Sequence, residues 1–583
     1  MLRGWLSVLM ILGNLLFAKT LSAEVTQDIR IVGNSVLSTN KLIDAIKLEE
    51  GESLTKANLE SRLDTIISLY KSEGYKFARI KECSIDSLGS VTIFIDEGRI
   101  GQITIRGNTR TKDRIIRQEL LFKEGEVYDE DIVAESERNL RARQIFGEVE
   151  ITPKYNDTTE LVDVNVRVTD IWTLFPVPIP PMGGGGELVF GFIVMDLNLL
   201  GYGQALLANY IYEREASETK HAFGINFCEP RTFGSHWMTE LQLQKSTDGY
   251  DWHLGVNRPL YSLATKWAIR TYLGSSTSIE YWYEGGQVAD KYRAWHKRGE
   301  LSGTLSYGEK IKTRVSIGYY FGDRRYKILE HRLPSSISLK PIRRSTLKGA
   351  LNRSKFDYVK ETFINGLGKV EDIELGYRYG GSFGGSLKLL GSYRNEVRLS
   401  LSGYLSRKFK NSHYLILDVD FEQDFWEGSF HNVILDADAC YYIKFADRNH
   451  TLAFHVKTKY GYELEGPEQF LLGASNGLRG YKAERFDGNK LFLLNIEDRI
   501  LVLNSKYLVL DIVPFIDVGQ VWKPNEQIDL VGIARDIGLG IRFFCPLMFC
   551  PVLRLDVGYG LTIENSVQIS FGTEQVFGTH GGF

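Results

Sequence analysis

The carboxy-terminal part of the chain alternates. In 491–502 the even positions Phe492, Leu494, Ile496, Ile500 and Val502 are apolar, with Asp498 the exception, while the odd positions include Asn495, Glu497 and Arg499. The next stretch sets Leu508, Leu510, Ile512, Ile516 and Val518 against Asp511 and Asp517. Three more follow: 537–543, 553–561, and a last one running through Val567, Ile569, Phe571 and Phe577. Strand side chains point alternately to opposite faces. Five consecutive segments, each greasy on one face, predict a transmembrane antiparallel β-barrel. A soluble sandwich shows the same alternation, but here the second face carries glycines and charges of both signs, which suits a wet lumen. Upstream, strand-length segments recur at roughly 20-residue spacing, with turns at 231–234, 308–310 and 410–412 and a long basic loop at 327–345. The stretch Ile171 to Gly186 is rich in proline and glycine. If its first half is the first barrel strand, that strand is weakly paired, because proline has no N–H to give.

Segment 461–490 lies between two strands and is too long for a plain turn. At its centre is Leu478-Arg479-Gly480-Tyr481. Alone, the tripeptide Arg479-Gly480-Tyr481 reads as a surface loop with an exposed arginine. The strands after it change the reading, since Glu497 and Asp517 both fall on the inward parity. Gly473-Ala-Ser-Asn-Gly-Leu-Arg-Gly-Tyr481 resembles the conserved sixth loop of the BamA and two-partner-secretion transporter superfamily. Asn495-Ile-Glu-Asp-Arg499 and Pro514-Phe-Ile-Asp-Val-Gly519 resemble that family's next two strands, and Asp196 to Gly203 its strand end and tight periplasmic turn. The resemblance implies a loop folded into the barrel with its arginine held by acids on the inner wall. Candidate site residues are therefore Arg479, Gly480, Tyr481, Glu497 and Asp517. Arginine suits the role because its planar fork bonds carboxylates bidentately. Gly480 would let the backbone turn sharply or approach the wall closely. The family implies 16 strands. The segment count here reaches about 20, so 16 strands are expected, with some segments forming hairpins in loops, and a wall of up to about 20 strands is the alternative.

The amino-terminal part holds a repeat. Gly33-Asn34 recurs as Gly107-Asn108 and Glu50-Gly51 as Glu124-Gly125, 74 positions on in each case, and the same offset sets Asp96 on Asp170. One ungapped register over three landmarks argues for duplicated modules. Each reads as strand, helix, helix, strand, strand, with helix starts at Ser38-Thr39 and Thr111. In the first module a stripe of Leu59, Leu63, Ile66, Ile67 and Tyr70 marks the second helix. The order resembles a POTRA domain; two small α+β domains of no special role are the alternative. A POTRA fold leaves a sheet edge open. The edge candidate in the second module is 148–155, which contains Pro153, tolerated at edges and not in sheet centres. Glu148, Val149, Ile151 and Lys154 are the candidate client-binding residues there, since an edge strand offers unpaired backbone groups to an extended chain.

Composition narrows the class. The 583 residues are 43% hydrophobic with a formal charge of −3, which gives no case for nucleic acid. Residues 1–23 have a basic start, an apolar run from Trp5 to Ala18 and small residues before Glu24. That is a secretory signal, an uncleaved anchor being the alternative. The five cysteines Cys83, Cys228, Cys440, Cys545 and Cys550 show no zinc spacing. Cys545 and Cys550 flank a tight turn and read equally as a disulfide or as two thiols. Gly380-Gly-Ser-Phe-Gly384 matches a nucleophile elbow only in pattern, because it lies between barrel strands rather than between a strand and a helix. No catalytic residue, metal or cofactor is expected.

The expected organisation is a signal peptide (1–23), two POTRA domains (24–97 and 98–170) and an outer-membrane barrel (171–583) with an inward loop at 461–490. The expected function is an outer-membrane protein assembly factor of a Gram-negative bacterium, which receives unfolded clients at a POTRA edge and inserts them. The alternative is a secretion pore for an exoprotein. Secretion transporters of the family usually carry a plug helix and linker before the POTRA pair. Here the first strand starts close to the expected mature end, which favours assembly; the main assembly factors carry more than two POTRA domains, which does not. Expected partners are unfolded outer-membrane or secreted clients, outer-membrane lipids and periplasmic accessory proteins.

Overall fold

The computed structural model describes residues 24–25, 29–46, 53–54, 56–85, 90–182, 188–215, 218–329, 339–364, 366–368, 370–410, 412–445, 449–547, 552–573 and 575–577. Residues 1–23, Cys550 and 578–583 lie outside them. So do the expectations placed there: the signal segment, and one half of the cysteine pair. Cys545 is a free thiol.

Two compact units form. One comprises residues up to 109 with 116–142 and 148–169; the other comprises 110–115, 143–147 and 170–583. In the first, the strand Ile29–Val32 pairs in parallel with Val91–Asp96, and Arg79–Ile85 pairs antiparallel on the other side. Helices Thr39–Ile46 and Lys56–Ser72 cover one face. Ser38 caps the first, its hydroxyl accepting from the Lys41 N–H at 3.3 Å. The striped helix buries Ile66 and Tyr70 against Ile31, Leu42 and Ile93. The Tyr70 hydroxyl donates to Glu97, and its pKa is pushed up, first by burial and then by that acid.

The second module repeats this, with strands in the order Ile100–Arg106, Leu161–Asp170, Phe146–Asn156. Both Gly-Asn turns need glycine. Gly33 and Gly107 have φ of 93° and 91°, and an added Cβ would sit 2.2 Å from the Ile95 carbonyl oxygen and 2.0 Å from that of Val168. One sequence expectation shifts. The acid matching Asp170 is Glu97, not Asp96. Glu97 accepts from the Ser35 and Val36 N–H groups, and Asp170 from those of Arg110 and Thr111. A deletion of one residue between the first and last strands explains the slip. The helix after Thr111 begins at Asp113, and the Thr111 hydroxyl donates to Asp170 at 2.5 Å.

The second unit is a closed barrel of 20 strands, from Leu174–Met182 to Val567–Thr573, not 16. Every strand-length segment joins the wall. Some strands are long, 267–284 and 287–307 among them, well beyond the ~10 residues a tilted strand needs to cross a bilayer. Neighbours in sequence are neighbours in the wall, and the first strand lies between the second and the last. That first strand contains Pro176, Pro178, Pro180 and Pro181, and its pairing with the second slips between Val189 and Gly191. Apolar side chains such as Ile317, Leu347, Phe383, Leu539 and Ile569 cover the outside. Asp498, the exception on that face, is paired with His450 at 3.2 Å. Gly380–Gly384 lies inside the strand Glu371–Ser386, so no nucleophile elbow exists there.

Twenty strands are even in number, so the wall starts and ends on one side. The turn at 362–370 opens on that side and segment 463–489 on the other. A barrel of this count encloses more than its wall side chains can fill. Here the long segment and the 362–370 turn fold inward.

The last strand corrects a second expectation. It ends at Thr573, and its lipid-facing aromatic is Phe571, 55% exposed. Phe577 turns into the barrel. Its ring stacks on His455 with centroids 4.8 Å apart, and it packs in a cluster with Ile364, Tyr414 and Tyr442. Phe571→Ala is therefore expected to impair delivery of the chain to the membrane. Phe577→Ala should leave delivery intact and cost the folded barrel about 3 kcal/mol through a lost core ring. Heat-modified gel migration of both variants checks this; the reverse pattern would make Phe577 the recognised end.

Candidate functional site

The inward segment builds its own support. Phe470–Leu472 pairs with Phe486–Gly488 as a small hairpin, and Phe470, Leu472, Leu478, Tyr481 and Phe486 make a core with Leu491, Leu493 and Val521 of the wall. Gln469 bonds both backbone groups of Tyr283, and Asp487 accepts from the Gly285 N–H at 2.8 Å. The segment thus grips two sides of the barrel.

At its tip Arg479 is fully buried. Its Nε and Nη2 donate to the two carboxylate oxygens of Asp517 at 2.8 and 2.7 Å, and its Nη1 donates to Glu497 at 2.6 Å. The guanidinium lies 3.5 Å from the centroid of the Phe515 ring. Gly480 makes the close approach rather than a sharp turn. A Cβ there would stand 2.4 Å from the Asp536 Cβ, and one on the facing Gly558 would stand 2.7 Å from the Arg479 backbone. The Tyr481 hydroxyl donates to the Arg535 carbonyl at 2.9 Å.

Around this the wall is not wet, as alternation alone suggested, but dry. Asn495, Glu497, Asp517, Asp536, Arg542 and Asp556 are all fully buried. Buried charge survives only when paired, and pairs run through the cluster. Arg542 donates to Asp556 at 2.6 Å, and Arg499 donates to Glu497 at 3.0 Å. Sequence reading missed Arg499, Arg542, Asp556, Asn495 and the Gly558 contact as site members. Their inward parity was visible; nothing in the pattern said that a loop would cover them.

Glu497 has a second partner of consequence. One carboxylate oxygen takes Arg479; the other takes Arg499. Arg499 in turn donates to the backbone carbonyls of Ile364 at 2.6 Å and Phe577 at 3.1 Å. Ile364 belongs to the turn at 362–370. A single run of charged groups therefore joins the inward loop from one side to the material closing the other.

The edge residues of the second module lie on Phe146–Asn156, an outer strand of its sheet. Glu148 and Lys154 are exposed, Val149 is half-buried and Ile151 is in the core.

Residues 198–577 match the Omp85 superfamily domain, and 25–98 and 99–170 each match the POTRA family, described as a surface antigen variable number repeat. The chain belongs to the Omp85 superfamily. It is similar to the "Outer membrane protein assembly factor BamA" of Neorickettsia risticii (strain Illinois), at 24% identity over 61% of this chain and 43% of that protein. It is also similar to a "Putative outer membrane protein assembly factor" of Treponema pallidum (strain Nichols), at 26% over 33% of this chain and 24% of that one. It thus spans under half the length of these relatives. The solved structure of "CdiB from Escherichia coli" shares the fold, with a TM-score of 0.53 at 13% identity over 95% of this chain and 90% of that one. This Omp85 chain is an outer-membrane barrel with periplasmic POTRA domains. The side of the barrel on which 362–370 and Phe577 close is therefore the periplasmic one, and 463–489 enters from outside.

Protease added to intact cells is expected to leave residues 24–170 whole, with cleavage only after the outer membrane is opened. Cleavage in that region on sealed cells would invert the topology.

Proposed function

We propose that this Omp85 chain inserts outer-membrane β-barrel proteins, receiving unfolded clients by strand addition at the POTRA edge 148–155. The observation that carries this reading is the buried anchor inside the barrel. Segment 463–489 enters from outside, 362–370 and Phe577 enter from the periplasm, and Glu497 joins them. A chain passing along the wall that holds Arg479 would have to break a buried ion cluster. The proline-bearing seam between the first and last strands offers a cheaper route. Prolines in the first strand lower the number of backbone hydrogen bonds it can make, and the backbone bared when the seam parts could template a client strand. The names of the two relatives favour assembly as well. Secretion of an exoprotein through the lumen is the second reading, and the shared fold with CdiB is compatible with it.

The experiment is reconstitution in lipid vesicles, with an unfolded outer-membrane barrel protein presented from the POTRA side. Folded, membrane-integrated client is the expected product. Client recovered inside or beyond the vesicle, soluble and unfolded, would favour secretion instead.

A further inference from the structure

Three lumen side chains outside the loop anchor have no part in the reading above. Asp438 and Cys440 are two residues apart on Ser429–Phe445 and so share a face. His455, on the next strand, is the direct cross-strand partner of Cys440. One ligand atom from each lies within 4.8 Å of the other two. His455 Nε2 is 3.0 Å from Asp438 Oδ2, and Cys440 Sγ is 3.8 Å from Asp438 Oδ1. Bonds of about 2.0–2.3 Å to a tetrahedral zinc ion place neighbouring ligand atoms about 3.3–3.7 Å apart. The observed spacings straddle that edge.

The hydrogen bonds behind His455 settle which nitrogen is available. The Asn495 amide nitrogen donates to the Gly477 carbonyl at 2.6 Å and to Asp517 at 2.7 Å. Its oxygen must therefore be the atom facing His455 Nδ1, at 2.9 Å. That nitrogen carries the proton, and in the neutral ring the Nε2 lone pair is aimed at Asp438. A second partner fixing the tautomer of a ligating histidine is the usual companion of a metal site.

We propose that Asp438, Cys440 and His455 bind one divalent transition-metal ion of the zinc class. Thiolate, imidazole and one carboxylate suit such an ion and not magnesium or calcium. Cys440 and His455 are buried, while the Asp438 side chain is 32% exposed, which leaves an entry side and a fourth position for water. The opposing charges are Lys457, 3.4 Å from Asp438, and Arg499, which lies over the neighbouring Tyr442 ring. Lys457 has a second acid in Asp436 at 3.8 Å, so it can yield Asp438 without losing all its pairing. The ion would sit at the Nε2 edge of the imidazole ring whose face Phe577 stacks on, with Asn495 linking the other ring nitrogen to Asp517. It would tie the neighbouring wall strands Ser429–Phe445 and His450–Tyr462 through their lumen-facing side chains.

The test uses the full chain purified in detergent. It is dialysed against Zn2+, washed and analysed for metal; a parallel sample takes Co2+ and is read by absorption. One retained zinc per chain is expected, with a thiolate-to-cobalt charge-transfer band. Cys440→Ser should abolish the band. Asp438→Asn, nearly the same shape, and His455→Gln should each weaken retention at least about tenfold. Cys228→Ser should change nothing. Each variant is first shown to be folded by heat-modified migration. Zinc retained equally by wild type and Asp438→Asn, or a cobalt spectrum without the sulfur band in folded wild type, overturns the proposal.

Discussion

Arg479→Ala is expected to leave a folded barrel whose loop has come off the wall. The substitution removes the shared partner of Asp517 and Glu497 in a dry site, and Asp556, whose second oxygen is 3.8 Å from the guanidinium, loses a third cation. Breaking a buried pair in this way costs roughly 3–5 kcal/mol. Arg479→Lys should be nearly as damaging, because an ammonium cannot make the bidentate contact with Asp517 while reaching Glu497. Asp517→Asn should look similar. Once either partner is gone the other has little left to lose, so the double variant should fall short of the sum of the singles by on the order of 2 kcal/mol. Protease sensitivity of 463–489 on intact cells reports the loop, and client insertion reports the function. Normal activity in Arg479→Ala, or singles that simply add, would reduce the anchor to a packing detail. Because Glu497 also holds Arg499, loss of the loop should loosen the periplasmic side too. A thiol placed at Ile364 should become easier to label in Arg479→Ala than in the otherwise native chain.

A disulfide across the seam is expected to stop insertion altogether and to leave the barrel folded. The cysteines would go in 174–176 on the first strand and 571–573 on the last, which are neighbours in the closed wall. In the proposed mechanism these strands part for a client strand, and a covalent bridge removes that freedom. Reduction should restore activity in the same sample, which separates a locked seam from a damaged one. The Arg479 contacts do not involve these strands, so the loop should stay protected in the locked protein. Full activity with the bridge closed would move the client path into the lumen and favour secretion. Together, the locked seam and Arg479→Ala distinguish the two routes.

The duplicated modules, the barrel and the arginine motif were legible in the sequence for one reason: each rests on a short-range rule. Alternation along a strand fixes which residues share a face, so Glu497, Arg499, Asp517 and Asp556 could be placed inward residue by residue. The Gly-Asn turns were visible because a positive φ pressed against a carbonyl selects glycine wherever it recurs. Strand number was not of this kind. Whether a segment such as 250–257 joins the wall or forms a hairpin in a loop depends on the neighbours it pairs with, and the structure makes it the sixth of 20 strands. Phe577 misled for a related reason. Its aromatic character suited a strand end, but the last strand ends at Thr573 and the Phe577 ring packs in the apolar cluster inside. Around Arg479 the wet-lumen reading failed in the same way. Parity says that charges face inward; it cannot say what else is there. Only tertiary structure brings segment 463–489 from one side and 362–370 from the other onto those charges, excludes water, and turns a polar wall into a paired and buried one. It likewise brings Asp438, Cys440 and His455 together through strand register, which spacing along the chain does not encode.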